Sequence, residues 1–462
     1  MAFSEKFANA SSVPYWSTTL NESDACAPAR NDIVCDIAII GGGFTGLWSA
    51  LKACERYPDA HIVLVEGNLC GTAASGQNGG FCAPSISHGV SNALSRWPRE
   101  ADTLIRLGRE NLTAFTHDLD TYEIDAEFNL SGKLNVSATP WQTQGLQQMA
   151  KNYDRFGIEN TLLEGTALHE KLNSPNYTAG LFEPNYGLVN PGKLVWGLRK
   201  ACLSCGVTVH ENTKVTSLFS ENDCITLETE NATITAKQVI MATNAAQPLL
   251  KRLRLSIIPV YDYSLMTEPL SDEQLQSIGW TGVHGVADSG NQFHYSRKTR
   301  DNRILWAGFD AIYHYGSNRE PANLQRPESF KLLAQQFASS FPMLADVRFD
   351  FKWGGIIDTS ARTTFFTGTA CKGRLVYAMG FTGQGVTASR FAALTMLDLL
   401  GNEKTERTNL KMLTRRPPPL PPEPMRSILI NMVQKRLAYE DRTGQRALLL
   451  KTLDAFGVGF DS

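Results

Sequence analysis

The hydrophobic pattern changes period early in the chain. Residues 36–40 (DIAII) form a short apolar run of buried-strand type that ends in glycines, and residues 45–56 then space their apolar side chains as a helix does. A second apolar run follows at 61–66 (HIVLVE). Strand, glycine turn, helix and strand within about thirty residues make a βαβ unit. Residues 90–188 mix helical stretches with short strands such as 131–136 and carry no second nucleotide-type signature. At Asn190-Pro191 a helix start is well marked, with asparagine as N-cap and proline in the first turn, and Gly206 supplies the stop. Three strands are expected next, at 207–219, 224–236 and 238–243. From 259 to 351 the pattern is again mixed, with hairpin-like character around QFHYSRKTRDNRILWAGFD. A last strand at 374–379 runs into the turn GFTGQG and an apolar helix at 386–400, stopped by Gly401.

Because nucleotide-type segments alternate with others, the pattern predicts two domains built from discontinuous pieces. Segments 30–89, 188–258 and 355–405 form the dinucleotide-binding domain, and 90–187 with 259–354 form the substrate domain. Residues 406–462 are a proline-rich strap and a helical extension. Within it, RRPPPLPPEP (415–424) is extended polyproline II, since successive prolines neither donate hydrogen bonds nor enter a helix. A strap packed along the surface is the reading preferred to a docking ligand, and two short helices are expected to close the chain.

Composition narrows the function. The 462 residues carry a formal net charge of −2 with acids and bases interspersed, so there is no electrostatic footprint for nucleic acid or anionic lipid. No basic patch precedes an apolar stretch at the N-terminus, and a cytoplasmic location is expected. Nine cysteines, an odd number scattered over a long chain, read as reduced thiols. Cys202 and Cys205 form a CxxC, but no second pair completes a metal site, and the end of a helix is their expected place.

The chemistry-bearing constellation is Gly41-x-Gly43-x-x-Gly46 between strand and helix, with Glu66 ending the next strand. Gly41 permits the tight turn, Gly43 lets the backbone approach a pyrophosphate, Gly46 lets helix and strand touch, and the helix N-terminus faces the phosphates. Glu66 accepts ribose hydroxyls and repels a 2′-phosphate. This fingerprint does not separate NAD from FAD. Three further segments do: AASGQNGGF (73–81) just after the second strand, QVIMATN (238–244), and GFTGQG feeding a long helix whose first amides point at an anion or carbonyl.

Together these segments resemble the D-amino-acid oxidase-like (DAO) superfamily of FAD oxidoreductases, and most nearly its γ-glutamylputrescine oxidase type, judged by ASGQNGG, HYSRKTRDNRILWAG and WGGIID. The likeness spans roughly residues 14 to 402. It implies an α/β FAD-binding Rossmann-like domain plus an α+β substrate domain with an antiparallel sheet, the glutathione-reductase-2-like architecture. By the resemblance, Gly41, Gly43, Phe44, Thr45 and Gly46 hold the pyrophosphate, Glu66 the ribose, and Val215 meets adenine. Ser75, Gly76, Gln77, Asn78, Gly79 and Gly80 line the flavin, with Ala242, Thr243 and Asn244 nearby. Gly383, Gln384, Gly385, Val386 and Thr387 set a helix N-terminus against the flavin edge that gains negative charge on reduction.

Glycine oxidases of this superfamily clamp the substrate carboxylate with an arginine in the segment that here reads WGGIID, with Ile357 about where that arginine falls. The cysteine that anchors flavin covalently in sarcosine oxidases has no counterpart there. Noncovalent FAD and an amine without an α-carboxylate are therefore expected. Tyr261, Tyr263, His294, Tyr295, Arg297, Trp353 and Gln384 are candidates for the substrate pocket, aromatic walls suiting an amine head group and Arg297 or Arg303 a distal carboxylate or phosphonate. Core packing of Tyr261 and Trp353, a structural role for His294, and pairing of Arg303 with Asp301 are the competing readings. The expected reaction is hydride transfer from the amine-bearing carbon to flavin N5, imine hydrolysis to an aldehyde, and reoxidation by O2 to H2O2. No acid or base stands out as essential. A flavin hydroxylase, which needs a late Gly-Asp strand end, an NAD-dependent dehydrogenase, a D-amino acid, glycine or sarcosine-type oxidase, a flavin dehydrogenase with another acceptor, and a non-catalytic FAD-binding interaction protein are the alternatives weighed.

Overall fold

Strand Ile33–Ile40 is buried along its second half because layers of side chains cover both its faces, which is why its sequence runs apolar without alternation. In the computed structural model, which describes residues 3–20 and 25–459, this strand is central to the first sheet. It pairs in parallel with Ile62–Val65 on one side and Thr233–Met241 on the other. Thr208–His210 extends the sheet in parallel beyond Ile62–Val65, and Leu375–Met379 beyond Thr233–Met241. The antiparallel strand Phe366–Ala370 closes one edge. The carboxyl ends of the parallel strands thus gather at one side, where the glycine turns lie.

Helix Phe44–Arg56 covers one face of this sheet with helices Pro191–Ser204, Ala101–Thr121 and Gly385–Leu400, around a core that includes Leu47, Trp48, Leu51, Phe115 and Phe391. Three of them are tied by a buried carboxylate: Asp118 accepts from Lys52 Nζ at 2.9 Å and from Arg390 Nε at 2.6 Å. Two opposite charges around one buried acid satisfy it, where a lone carboxylate would not be tolerated.

The second sheet has eight strands in the order Phe349–Ser360, Ile257–Thr267, Ile304–Gly308, His294–Lys298, Gly285–Asp288, Lys133–Ser137, Ala179–Glu183, Thr161–Glu164. Neighbours are antiparallel except Gly285–Asp288 with Lys133–Ser137. Helix Pro327–Ser340 packs on it around Trp306, Phe330 and Phe337. The long strand Phe349–Ser360 ends beside the last glycine turn, joining the second sheet to the first.

Three expected elements differ. The stretch 207–219 is not one strand but Thr208–His210 and Ser217–Glu221, because Glu211 turns inward between them. Its carboxylate accepts from Cys70 N and Cys26 N, each at 2.7 Å, and from Arg199 Nη2 at 3.0 Å. The stretch 224–236 is a hairpin, Cys224–Glu228 turning into Thr233–Met241, whose bend is closed by Thr229 Oγ1 bonding both ways with Ala232. The first closing helix, Met425–Thr443, is nineteen residues long rather than short. Cys202 lies buried in helix Pro191–Ser204, and Cys205 caps that helix. Ahead of helix Met425–Thr443, residues 416–422 form neither helix nor strand, and Leu420 N donates to Leu255 O.

Candidate functional site

At the first glycine turn the backbone is drawn in on itself. Gly41 has φ +113°, and a Cβ there would lie 2.5 Å from the Ala242 carbonyl oxygen; one on Gly46 would overlap the Gly41 carbonyl. Strand, turn and helix therefore meet backbone to backbone, and Gly43, the N-cap of Phe44–Arg56, has no side chain to offer the helix's first amides. Ser75 Oγ accepts from Phe44 N at 2.9 Å, which brings the 73–81 loop onto the turn. Glu66 is held at the end of its strand, Oε2 accepting from Gly42 N at 2.7 Å and Oε1 from Asn68 N at 2.9 Å. Each oxygen keeps a lone pair for a ribose hydroxyl. Beside the turn, Ala242 N bonds Ile40 O, Asn244 takes φ 45°, and the buried Thr243 Oγ1 has no protein partner among the described residues. Val215 packs in the apolar layer on the other face of the first sheet.

The 73–81 loop is fixed from three directions. Asn78 donates to Ala74 O and Ser75 O and accepts from Gly80 N, so Gly76 to Gly80 fold around one side chain. Trp16 Nε1 donates to Asn78 O at 2.8 Å and Trp353 Nε1 to Gln77 O at 2.9 Å. Arg297, buried and stacked 5.4 Å from the Trp16 ring, gives Nη1 to Val189 O at 2.5 Å and Gly79 O at 3.4 Å. Burial without a carboxylate partner pushes its guanidinium down to about 10.

At the last glycine turn, Asp358 accepts from Gly380 N at 2.5 Å and Phe381 N at 3.1 Å, and its carbonyl from Thr382 N at 3.1 Å. Burial raises its carboxyl to about 7 against the pull of these amides. Gly383, at φ +84°, faces open room whose nearest wall is Ile357 Cδ1, 4.0 Å from where a Cβ would stand. Helix Gly385–Leu400 begins there uncapped, Val386 buried and Thr387 Oγ1 anchored to Ala83 O.

From Gln384 a cavity of about 330 Å³ opens toward the second sheet, walled by His88, Lys133, Asn135, Glu183 and Tyr186 among others. His88 is kept neutral, pushed down to about 4 by burial. Burial also lifts Glu183 to about 7, although Lys133 and the hydroxyl of Tyr153, donated at 3.1 Å, oppose it. Burial lowers Lys133, whose Nζ sits 5.4 Å from the Tyr186 ring and has no hydrogen-bonding partner among the described residues.

Of the seven pocket candidates, only Gln384 lines this cavity. Tyr261 and Tyr263 are core residues whose hydroxyls donate to Asn318 O and Asn323 O. His294 is stacked between Trp306 and Phe309 and bonded to Asp288 and Gln336. Tyr295 donates to Asp262 at 2.6 Å and packs on Gly79. Arg297 and Trp353 serve the 73–81 loop, as above. Arg303 is engaged by Asp301, Asp350 and Thr267 O, which leaves it no acid to receive. Lys133 and Glu183, missed in the sequence, are cross-strand partners. A lysine opening an otherwise buried strand, KLNVS, was the available signal.

The two glycine turns, the buried orphan hydroxyl of Thr243 and the room at Gly383 are features that would suit a bound dinucleotide. The chain belongs to the DAO family, FAD dependent oxidoreductase, which matches residues 36–399. It is thus an FAD-dependent oxidoreductase of the class acting on the C–N bonds of amines or amino acids. Among relatives, it is 29% identical to the gamma-glutamylputrescine oxidoreductase of Escherichia coli K12, over 84% of this chain and 88% of that protein. To the probable oxidoreductase OrdL of Haemophilus influenzae it is 26% identical, over the same shares. The fold is that of glycine oxidase from Geobacillus kaustophilus, with a TM-score of 0.68 at 20% identity, covering 81% of this chain and 96% of that one. No helix among the described residues is long and apolar enough to cross a membrane.

Proposed function

We propose that the protein oxidises the C–N bond of a small amine that lacks an α-carboxylate and bears a distal acid group. The observation that carries this reading is the contrast between the apolar side chain beside Gly383 and the lysine in the cavity wall. Beside Gly383, the residue before the cavity-lining Gln384, the nearest side chain is the apolar Ile357, which clamps no carboxylate. Lys133, in the cavity wall beside Glu183, makes no hydrogen bond among the described residues and takes the role first expected of Arg297 or Arg303. A relative named for γ-glutamylputrescine supports an amine substrate.

Noncovalently bound FAD supplies the acceptor for the hydride that leaves the amine-bearing carbon. The protein's own part is to position and exclude. Gln384 orients the amine end, Lys133 receives the distal anion, and the neutral His88 and the Tyr186 ring hold water out. Hydrolysis of the imine yields an aldehyde and ammonia or a smaller amine, and O2 takes up the electrons as H2O2. Product analysis in air tests this: one aldehyde and one peroxide per amine consumed are expected, and an α-keto acid as the only carbonyl product would overturn the substrate class. Ile357→Arg gives no gain on the native substrate; a large gain on it would show that a carboxylate clamp belongs there.

A further inference from the structure

Residues beyond 399 lie outside the stretch matched by the family, yet their longest helix, Met425–Thr443, ends against the cavity wall. Near its C-terminus Asp441 reaches the hairpin tip between strands Gly285–Asp288 and His294–Lys298. Its Oδ1 accepts from Asn291 N at 2.7 Å and Asn291 Nδ2 at 2.8 Å, and its Oδ2 accepts from Gln292 N at 2.9 Å. The Asp441 carbonyl accepts from Trp141 Nε1 at 3.2 Å. Ser289, Gly290 and Phe293 of that tip line the cavity, and so does Trp141. Gly444 ends the helix at φ +70°, where a Cβ would stand 2.9 Å from the Trp141 ring, so the helix end is fitted to that indole.

The other end of the helix is moored as firmly. Arg426 donates to Pro421 O at 2.9 Å and Ser317 Oγ at 2.8 Å, and Glu423 accepts from Tyr313 Oη at 2.5 Å and Gly316 N at 3.1 Å. A helix pinned at both ends presents one carboxylate to three N–H donors of a hairpin tip, and such charge-assisted bonds fix position as well as stabilise.

We propose that Asp441 is a positioning residue, through which the C-terminal extension fixes the tip 289–293 and Trp141 and thereby sets the length of substrate the cavity admits. The part concerning substrate rests on the amine reading above; the part concerning the tip does not. The extension holds the wall in place before substrate arrives, so loss of the clamp weakens binding without altering the reacting end at Gln384.

The test compares full-length, FAD-loaded Asp441→Ala and Asp441→Asn with the parent by amide hydrogen exchange and by steady-state kinetics on the best amine. Exchange of the peptide holding Asn291 and Gln292 rises most in the alanine variant and less in the asparagine variant, which keeps one acceptor. KM rises about tenfold or more while kcat stays within about threefold, the split expected for lost uniform binding. Should the alanine variant not fold, the asparagine variant alone decides. Unchanged exchange overturns the clamp, and faster exchange with unchanged KM overturns its role in substrate selection. If no amine reduces the parent enzyme, the amine reading fails while the exchange result still decides whether Asp441 holds the tip.

Discussion

Asp358 accepts the amide hydrogen of Gly380 at 2.5 Å, so a side chain of the second sheet's longest strand holds the turn that opens toward the cavity. Asparagine at 358 would set an N–H₂ against one of the two backbone donors. We expect Asp358→Asn to lose about 1–3 kcal/mol of stability, the cost of leaving a buried polar group unmet. The variant should also release FAD more readily. Denaturant titration with flavin fluorescence reads both, and an unchanged midpoint with full flavin retention contradicts this role.

A Cβ on Gly43 would stand 2.8 Å from Ser75 Oγ, in the gap between turn and loop where the pyrophosphate is expected. Gly43→Val is predicted to abolish FAD retention, seen as the ratio of visible to ultraviolet absorbance of the purified protein. Retained flavin would sink the assignment of this turn.

Glu183 provides a pH signature. Its carboxyl titrates at about 7 in the native protein against an ordinary 4.5, chiefly because it is buried, with Lys133, Tyr153 and Arg109 pulling the other way. Below the ordinary value both native and unfolded chains hold the proton and its contribution to stability is fully present. As pH rises from about 4.5 to about 7 the unfolded chain releases the proton first, so native stability falls through that window. Glu183→Gln should therefore shrink the drop in Tm between about pH 5 and about pH 8; an identical drop in both proteins would contradict it.

Lys133 makes no hydrogen bond among the described residues, though its charge acts on the Glu183 carboxyl, so its part in binding is read by comparing two classes of amine. Lys133→Met is expected to raise KM at least about tenfold for amines with a distal acid and much less for those without one, the loss of a charged contact made in ground and transition states alike. Equal effects on both classes would move the anion site elsewhere.

Much of the nucleotide side was legible in the sequence because its rules are local. Gly41 and Gly46 are required by backbone contacts within the βαβ unit itself, and a helix does begin at Pro191 with Asn190 as its cap, its side chain accepting from Lys193 N. The substrate side was not legible, because Lys133 and Glu183 meet only through the register of two strands almost fifty residues apart. Tyr261, Tyr263 and His294 misled for the complementary reason: an aromatic residue in a strand looks the same whether its hydroxyl or imidazole faces a ligand or, as here, a carbonyl or carboxylate of the protein itself. Glu211 and Thr229 broke expected strands through side-chain bonds that no periodicity records.

The most direct test of the central claim is anaerobic mixing of the purified yellow protein with a panel of primary, N-methyl, acylated and acid-bearing amines beside α-amino acids, following the visible flavin band. Bleaching by amines that carry a distal acid, with α-amino acids inert, is the predicted result. Bleaching by α-amino acids alone would contradict the account, and would mean that a carboxylate clamp exists where Ile357 does not provide one.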